Sequence, residues 1–243
     1  MRGLLLLSLL LAGLASAAED PDFRQRPGSP VPRDAVLRDE TGRRIGFGDL
    51  LSGRPLILAL VYYRCRSLCG IALSDLQDAL HQGRLTAGRD YDLLAVSFDP
   101  ADTPADAAAA KARYVGADWH FLIGEGDAAG RIERSVGFSA RYDAATDQFL
   151  HPAGFVLLTP DGRVADYLLG VGYDPERLAA GLRATGQGIV AAPAPPVRLL
   201  CFRYDPVTGR IGLAVLDALK LVSAVGALVL VFLLYRAVRR ERR

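Results

Sequence analysis

Between Pro55 and Tyr63 the chain carries seven consecutive residues, Leu56-Ile57-Leu58-Ala59-Leu60-Val61-Tyr62, without a charged or amide side chain. An apolar run of this length that does not alternate fits a strand buried on both faces. Such a strand needs cover above and below, so the chain calls for a layered α/β architecture, with helices covering a mostly buried sheet. Tyr91 to Phe98, apolar except for Asp92 and Ser97, reads as a second buried strand, ended by Asp99-Pro100.

The elements around these runs follow from local signals. Ser67 is a candidate cap for a helix from Leu68 to about His81, with Ile71, Leu73, Leu76 and Leu80 as its apolar stripe. Thr103-Pro104 opens an alanine-rich helix toward Tyr114. Trp119 to Ile123 reads as a short strand and Arg131 to Val136 as a helix ended by Gly137. Pro160-Asp161-Gly162 turns the strand from Gly154 to Thr159 into the one from Arg163 to Leu169, and a last helix runs from Pro175 to about Thr185. That order, strand, helix, strand, helix, hairpin, helix, is the order of thioredoxin-like folds.

Both ends suggest export. Arg2, the apolar stretch Leu4 to Leu11 and Ala15-Ser16-Ala17 make residues 1–17 an expected signal peptide. A lead-in rich in proline, glycine and charge occupies 18–33 and is expected to be flexible or ordered only on contact. The domain proper spans 34–190, and 191–210 is a linker with Ala192-Pro193-Ala194-Pro195-Pro196 followed by a juxtamembrane piece. Residues 211–235 are expected to form a transmembrane helix that includes Asp217 and Lys220, and the arginine-rich tail 236–243 fits the cytoplasmic side. The implied location is a single pass through the cell inner membrane, domain in the periplasm or an equivalent extracytoplasmic space. The net charge is only +2, with much of the positive excess in the tail, which argues against nucleic acid as a partner.

The chemistry concentrates where the first strand ends. Cys65 and Cys69 lie four apart where the first strand ends and the expected helix begins; on a helix that spacing would put their β-carbons on one face, roughly 5–6 Å apart. The helix amino terminus favours thiolate there. Soft thiolates select copper(I) or zinc, imidazole suits both, and His151 lies just before the Gly154 strand. Two sulfurs and one nitrogen fit three-coordinate copper(I) better than a closed four-ligand zinc site. A structural disulfide, two buried cysteines or a redox-active pair remains open on the spacing alone. His81 suits a helix carboxyl end and His120 a strand entrance, neither with ligand spacing. Cys201 is an odd thiol near the expected membrane helix, with no derivable role.

Several segments together resemble the Sco/SenC family: Val61 to Cys69, Val96-Ser97-Phe98-Asp99-Pro100-Ala101-Asp102-Thr103-Pro104, Trp119 to Gly124, Val136-Gly137-Phe138, and His151 followed by Leu158-Thr159-Pro160-Asp161-Gly162. The resemblance covers about Asp34 to Thr185. It implies a thioredoxin-like fold, with a central mixed sheet flanked by helices, that binds one copper ion, preferably Cu(I), through Cys65, Cys69 and His151, with Asp99 close by. It also implies a membrane-anchored copper chaperone that delivers copper to, or maintains the cysteines of, the binuclear copper centre of cytochrome c oxidase, and whose partners are the copper-accepting oxidase subunit, thiol reductants or other copper chaperones. Arg66 stands where family members commonly have proline. The rival reading is a thiol-disulfide oxidoreductase using Cys65 and Cys69 without metal. For a peroxidase, Arg64 and Arg66 are present but the expected threonine is not.

Overall fold

A computed structural model of the chain describes residues 21–65, 68–114, 118–193, 204–205, 210–211, 220, 222–226 and 236, with backbone alone at 68, 69, 204, 205, 210 and 211. Its centre is a seven-stranded mixed sheet built from β1 (Val36–Arg38), β2 (Arg44–Gly46), β3 (Leu56–Val61), β4 (Asp92–Ser97), β5 (His120–Gly124), β8 (Gly154–Leu158) and β9 (Val164–Leu169), in the order β2-β1-β5-β4-β3-β8-β9. β3 lies parallel to β4 and β4 to β5, while β8 runs antiparallel to β3 and β9 antiparallel to β8. Every residue of β3 and β4 is buried, including Asp92 and Ser97 at the two ends of β4.

Period-two alternation along β3 divides the core into two layers. Leu56, Leu58, Leu60 and Tyr62 join one cluster, and Ile57, Ala59, Val61 and Tyr63 join the other. Helices α1 (Leu68–Gln82), α2 (Pro104–Lys111) and α4 (Pro175–Gly186) cover the second layer through Leu73, Leu76, Ala107, Ala110, Leu178 and Leu182. Helix α3 (Ala128–Val136) and the lead-in cover the first through Ile132, Val136, Phe23 and Val31. A separate antiparallel pair, β6 (Arg141–Asp143) with β7 (Gln148–Leu150), runs into His151. This is the thioredoxin-like arrangement anticipated from the element order.

Local chemistry sets the boundaries. Thr103 caps α2 by accepting from Asp106 N–H, Asp106 returns a bond to Thr103, and Pro104 occupies the first turn. Gly137 ends α3 at φ 69°, and a β-carbon there would lie 1.9 Å from the carbonyl oxygen of Arg24. Only glycine permits that close approach in that conformation.

Two expectations need correction, and one left open is decided. Ile71 is not part of the buried stripe of α1: it is 56% exposed, while Ala72, Leu73, Leu76, Ala79 and Leu80 face the sheet. Helical geometry puts Ile71 beside the polar Ser74, Asp75 and Asp78 instead. The lead-in, expected to be flexible or ordered only on contact, takes the second course and packs from Pro21 onward: Phe23 bridges Phe138, Arg24 N–H donates to Gly137 O at 2.8 Å, and Val31 N–H to Gly162 O at 2.9 Å. Burial of Phe23 and Val31 offsets the cost of ordering the strap. The expected transmembrane helix is not supported, because no helix among the described residues is long and apolar enough to cross a membrane. Of 211–235, Ile211 lies in a short strand pair, Tyr204–Asp205 with Arg210–Ile211, and only 220 and 222–226 are described as helix. Residues 1–17, Cys201, most of 194–219 and most of the basic tail lie outside the described residues.

Candidate functional site

The cysteine loop leaves β3 at its carboxyl end, where buried parallel strands deliver their side chains to a common edge. Tyr62 and Tyr63 continue the strand into the two core layers, and Cys65 N–H turns back to donate to Tyr62 O at 3.2 Å. The side chain of Cys65 is half-buried against the layer that contains Tyr62 and Phe98. Cys69 stands at the second position of α1, its side chain outside the description. A pocket of about 20 Å³ opens beside Cys65 between Tyr63, Gly70, Leu73, Arg113, Tyr114 and Phe121.

His151 meets the same layer from the other side. It is buried, and its ring sits among Phe98 at 5.3 Å, Tyr62 at 5.8 Å and Phe138 at 6.2 Å between centroids. Phe149, from β7, packs on both Tyr62 and Phe98. Nδ1 lies 3.0 Å from the carbonyl oxygen of Pro152. A carbonyl only accepts, so Nδ1 carries the proton in that bond, and the neutral ring then has its lone pair on Nε2. Tyr62 thus joins the two halves of the site: its ring abuts His151 and its carbonyl anchors Cys65.

Asp99 is buried in the turn after β4. Its Oδ1 accepts from Ala101 N–H at 2.8 Å, the turn-forming bond expected before Pro100, and its Oδ2 accepts from the Arg64 guanidinium at 2.7 Å. The turn role and a place beside the cysteine loop therefore coexist. Asp102, whose side chain is wholly buried, accepts from Tyr63 N–H at 2.7 Å, from Ser97 Oγ at 2.6 Å and from Arg64 Nε at 3.2 Å. The Asp99 hydrogen bond and charge hold Arg64 more firmly protonated than an ordinary arginine. Burial pushes the Tyr63 phenol well above its usual range, and its hydroxyl is shared between Ala95 O and Leu122 O, each at 2.7 Å.

Of the sequence-derived candidates, Cys65, Asp99 and His151 all lie at the carboxyl end of β3 and β4. Among the described residues no three histidine, cysteine or acidic side chains are grouped to hold a metal ion, Cys69 being absent from that comparison. His81 closes α1 and His120 opens β5, away from this edge. Asp102 was missed by sequence reasoning, although its place between Asp99-Pro100 and the Thr103 cap was a usable signal. So were the three aromatic residues around His151.

Comparisons with known proteins agree with this architecture. A structure of a protein from Aquifex aeolicus VF5, provisionally assigned to electron transfer, matches at a TM-score of 0.62 with 26% identity, over 68% of this chain and 96% of that one. Arabidopsis thaliana ScoI, solved with copper bound, matches at 0.55 with 19% identity, over 66% of this chain and 98% of that one. BsSco, described as having a disulfide switch and as a member of the Sco family of cytochrome c oxidase assembly proteins, matches at 0.54 with 19% identity, over 67% and 97%. No curated protein matches the sequence. The SCO1/SenC family model matches residues 25–187, two thirds of the chain and the whole sheet with its helices, and the chain belongs to that family.

Proposed function

We propose that this protein carries copper for the assembly of cytochrome c oxidase, binding one copper(I) through Cys65, Cys69 and His151 and passing it to thiols of the copper-accepting subunit. The observation that carries the reading is His151: a buried imidazole whose Nδ1–H is committed to Pro152 O, so its Nε2 lone pair is the one suited to a metal, at the edge where Cys65 emerges. The donor set fits the cargo. Two thiolates and an imidazole are soft to intermediate ligands, and a half-buried apolar surround disfavours hard, hydrated cations. The copper-bound relative from Arabidopsis thaliana supports the same choice. Transfer needs no net redox change: acceptor thiolates displace the donors one at a time, and the cysteines take up protons as they leave. The signal-peptide pattern of residues 1–17 supports action in an exported compartment.

Titration of the reduced full-length chain with copper(I) should saturate at one ion per chain. Cys65→Ser, Cys69→Ser and His151→Ala should each weaken binding severely, and unchanged affinity in any of them removes that residue from the assignment. The disulfide switch of BsSco favours a second reading, in which the reduced cysteine pair reduces a disulfide formed between the acceptor's cysteines and is itself left as the Cys65–Cys69 disulfide. Exchange chemistry has no use for the imidazole. If His151→Ala retains full oxidase assembly in cells while either cysteine variant abolishes it, the reductant reading stands instead.

A further inference from the structure

We infer that Arg64 and Asp102 are positioning residues that fix the approach of Cys65 to its ligand, an inference that rests on the copper-carrying reading. The loop from Tyr63 to Cys65 leaves the sheet without a helix or a strand partner to hold it. Asp102 supplies the hold. Its Oδ2 accepts the Tyr63 backbone N–H at 2.7 Å and the Ser97 hydroxyl at 2.6 Å, which ties the outgoing end of β3 to the end of β4. Its Oδ1 accepts from Arg64 Nε, while the far nitrogen of the same guanidinium reaches Asp99 Oδ2 at 2.7 Å. One planar cation thus spans two buried carboxylates, and its own backbone is the residue before Cys65. A fork with both its ends engaged fixes the direction of the side chain as well as its position. Cys65 therefore starts from a peptide unit clamped on both of the preceding residues, its own N–H closing the turn to Tyr62 O.

A ligand held this way loses less freedom when the metal arrives, and that difference appears as affinity. Lysine at 64 keeps the charge but offers no fork, so the geometric role separates from the electrostatic one. The half-exposed Arg64 side chain also makes its variants gentler on folding than changes at the fully buried Asp102.

The test uses the reduced full-length chain and three variants, Arg64→Lys, Arg64→Ala and Asp102→Asn. Copper(I) affinity is read by competition with bicinchoninate, Cys65 accessibility by the rate of iodoacetamide labelling followed by peptide mass spectrometry, and folding by the urea midpoint. Each variant should bind copper(I) about tenfold more weakly, the scale seen when groups behind a metal ligand are removed. Each should also change the Cys65 labelling rate severalfold, Arg64→Lys included. Affinity and labelling within twofold of the parent in both Arg64 variants overturn the inference, as does a loss of affinity that merely follows the urea midpoint. If Asp102→Asn fails to fold, the two Arg64 variants decide alone. If the parent itself takes up no copper, the proposed function fails, and the labelling rates still decide the clamp.

Discussion

Glu133 offers a sharp test of how the wall behind His151 is stabilised. It lies on α3, partly buried beside Ile132, and burial raises its carboxyl from 4.5 to about 7, with Asp127 adding to the rise and Arg134 opposing it. A carboxyl raised on folding contributes stability that is complete below its unfolded pKa and is lost as pH climbs through the folded one. The window here runs from about 4.5 to about 7, with little further change above pH 8. At about 1.36 kcal/mol per pH unit the full gap costs about 3 kcal/mol, and water at the helix flank reduces this to about 2 kcal/mol. Glu133→Gln mimics the neutral acid, so urea unfolding should find it equal to the parent at pH 4.5 and about 2 kcal/mol more stable at pH 8. An equal difference at both pH values would mean that the gain comes from packing or helix propensity and would refute the charge argument.

Other perturbations report on the same scaffold. Gly137→Ala forces a β-carbon to within 1.9 Å of Arg24 O at φ 69° and should cost more than about 2 kcal/mol by denaturant unfolding, because backbone must move. Leu76→Ala removes a fully buried α1 side chain and should cost about 2–5 kcal/mol, while Ile71→Ala, 56% exposed, should stay within about 0.5 kcal/mol. Phe23→Ala opens the contact to Phe138 at 5.2 Å and to Tyr167 at 5.7 Å and should cost about 3 kcal/mol. Proteolysis of that variant should begin in the strap, and cleavage elsewhere first would count against its packing.

The two buried strands were legible because short apolar runs bounded by turn signals, Leu56 to Tyr62 and Leu93 to Val96, fit strands covered on both faces; β3 and β4 then fixed the place of everything between them. The caps at Thr103 and Gly137 were legible for the same reason, each being a local rule with one physical cause. The short strands β1, β2, β6 and β7 were not, since three residues carry no period and gain their stability from neighbours remote in sequence. Ile71 misled because a stripe read by hydrophobicity alone does not know that alanine suffices where a helix lies close to a sheet. The lead-in was left open between two courses for a related reason. Proline and glycine forecast the absence of regular structure, yet Phe23 needed only one aromatic hollow, beside Phe138 and Tyr167, to bring the strap down.

The site divides along the same line between local and long-range information. Cysteine spacing is a local pattern, and Cys65 could be placed at the end of β3 from sequence alone. The imidazole could be named but not furnished: its cage comes from Tyr62, Phe98 and Phe138, which the fold draws from the ends of β3 and β4 and the end of α3. The same ends supply Asp102 and Arg64. A thiol pair that only exchanged disulfides would require an accessible sulfur and a tuned potential, neither of which calls for a buried histidine with a fixed tautomer. A copper carrier calls for that histidine directly, because a neutral nitrogen ligand must be held ready at the site where the sulfurs arrive. Burial of His151 among three aromatic rings is therefore the feature that the carrier reading explains and the exchange reading leaves without a purpose.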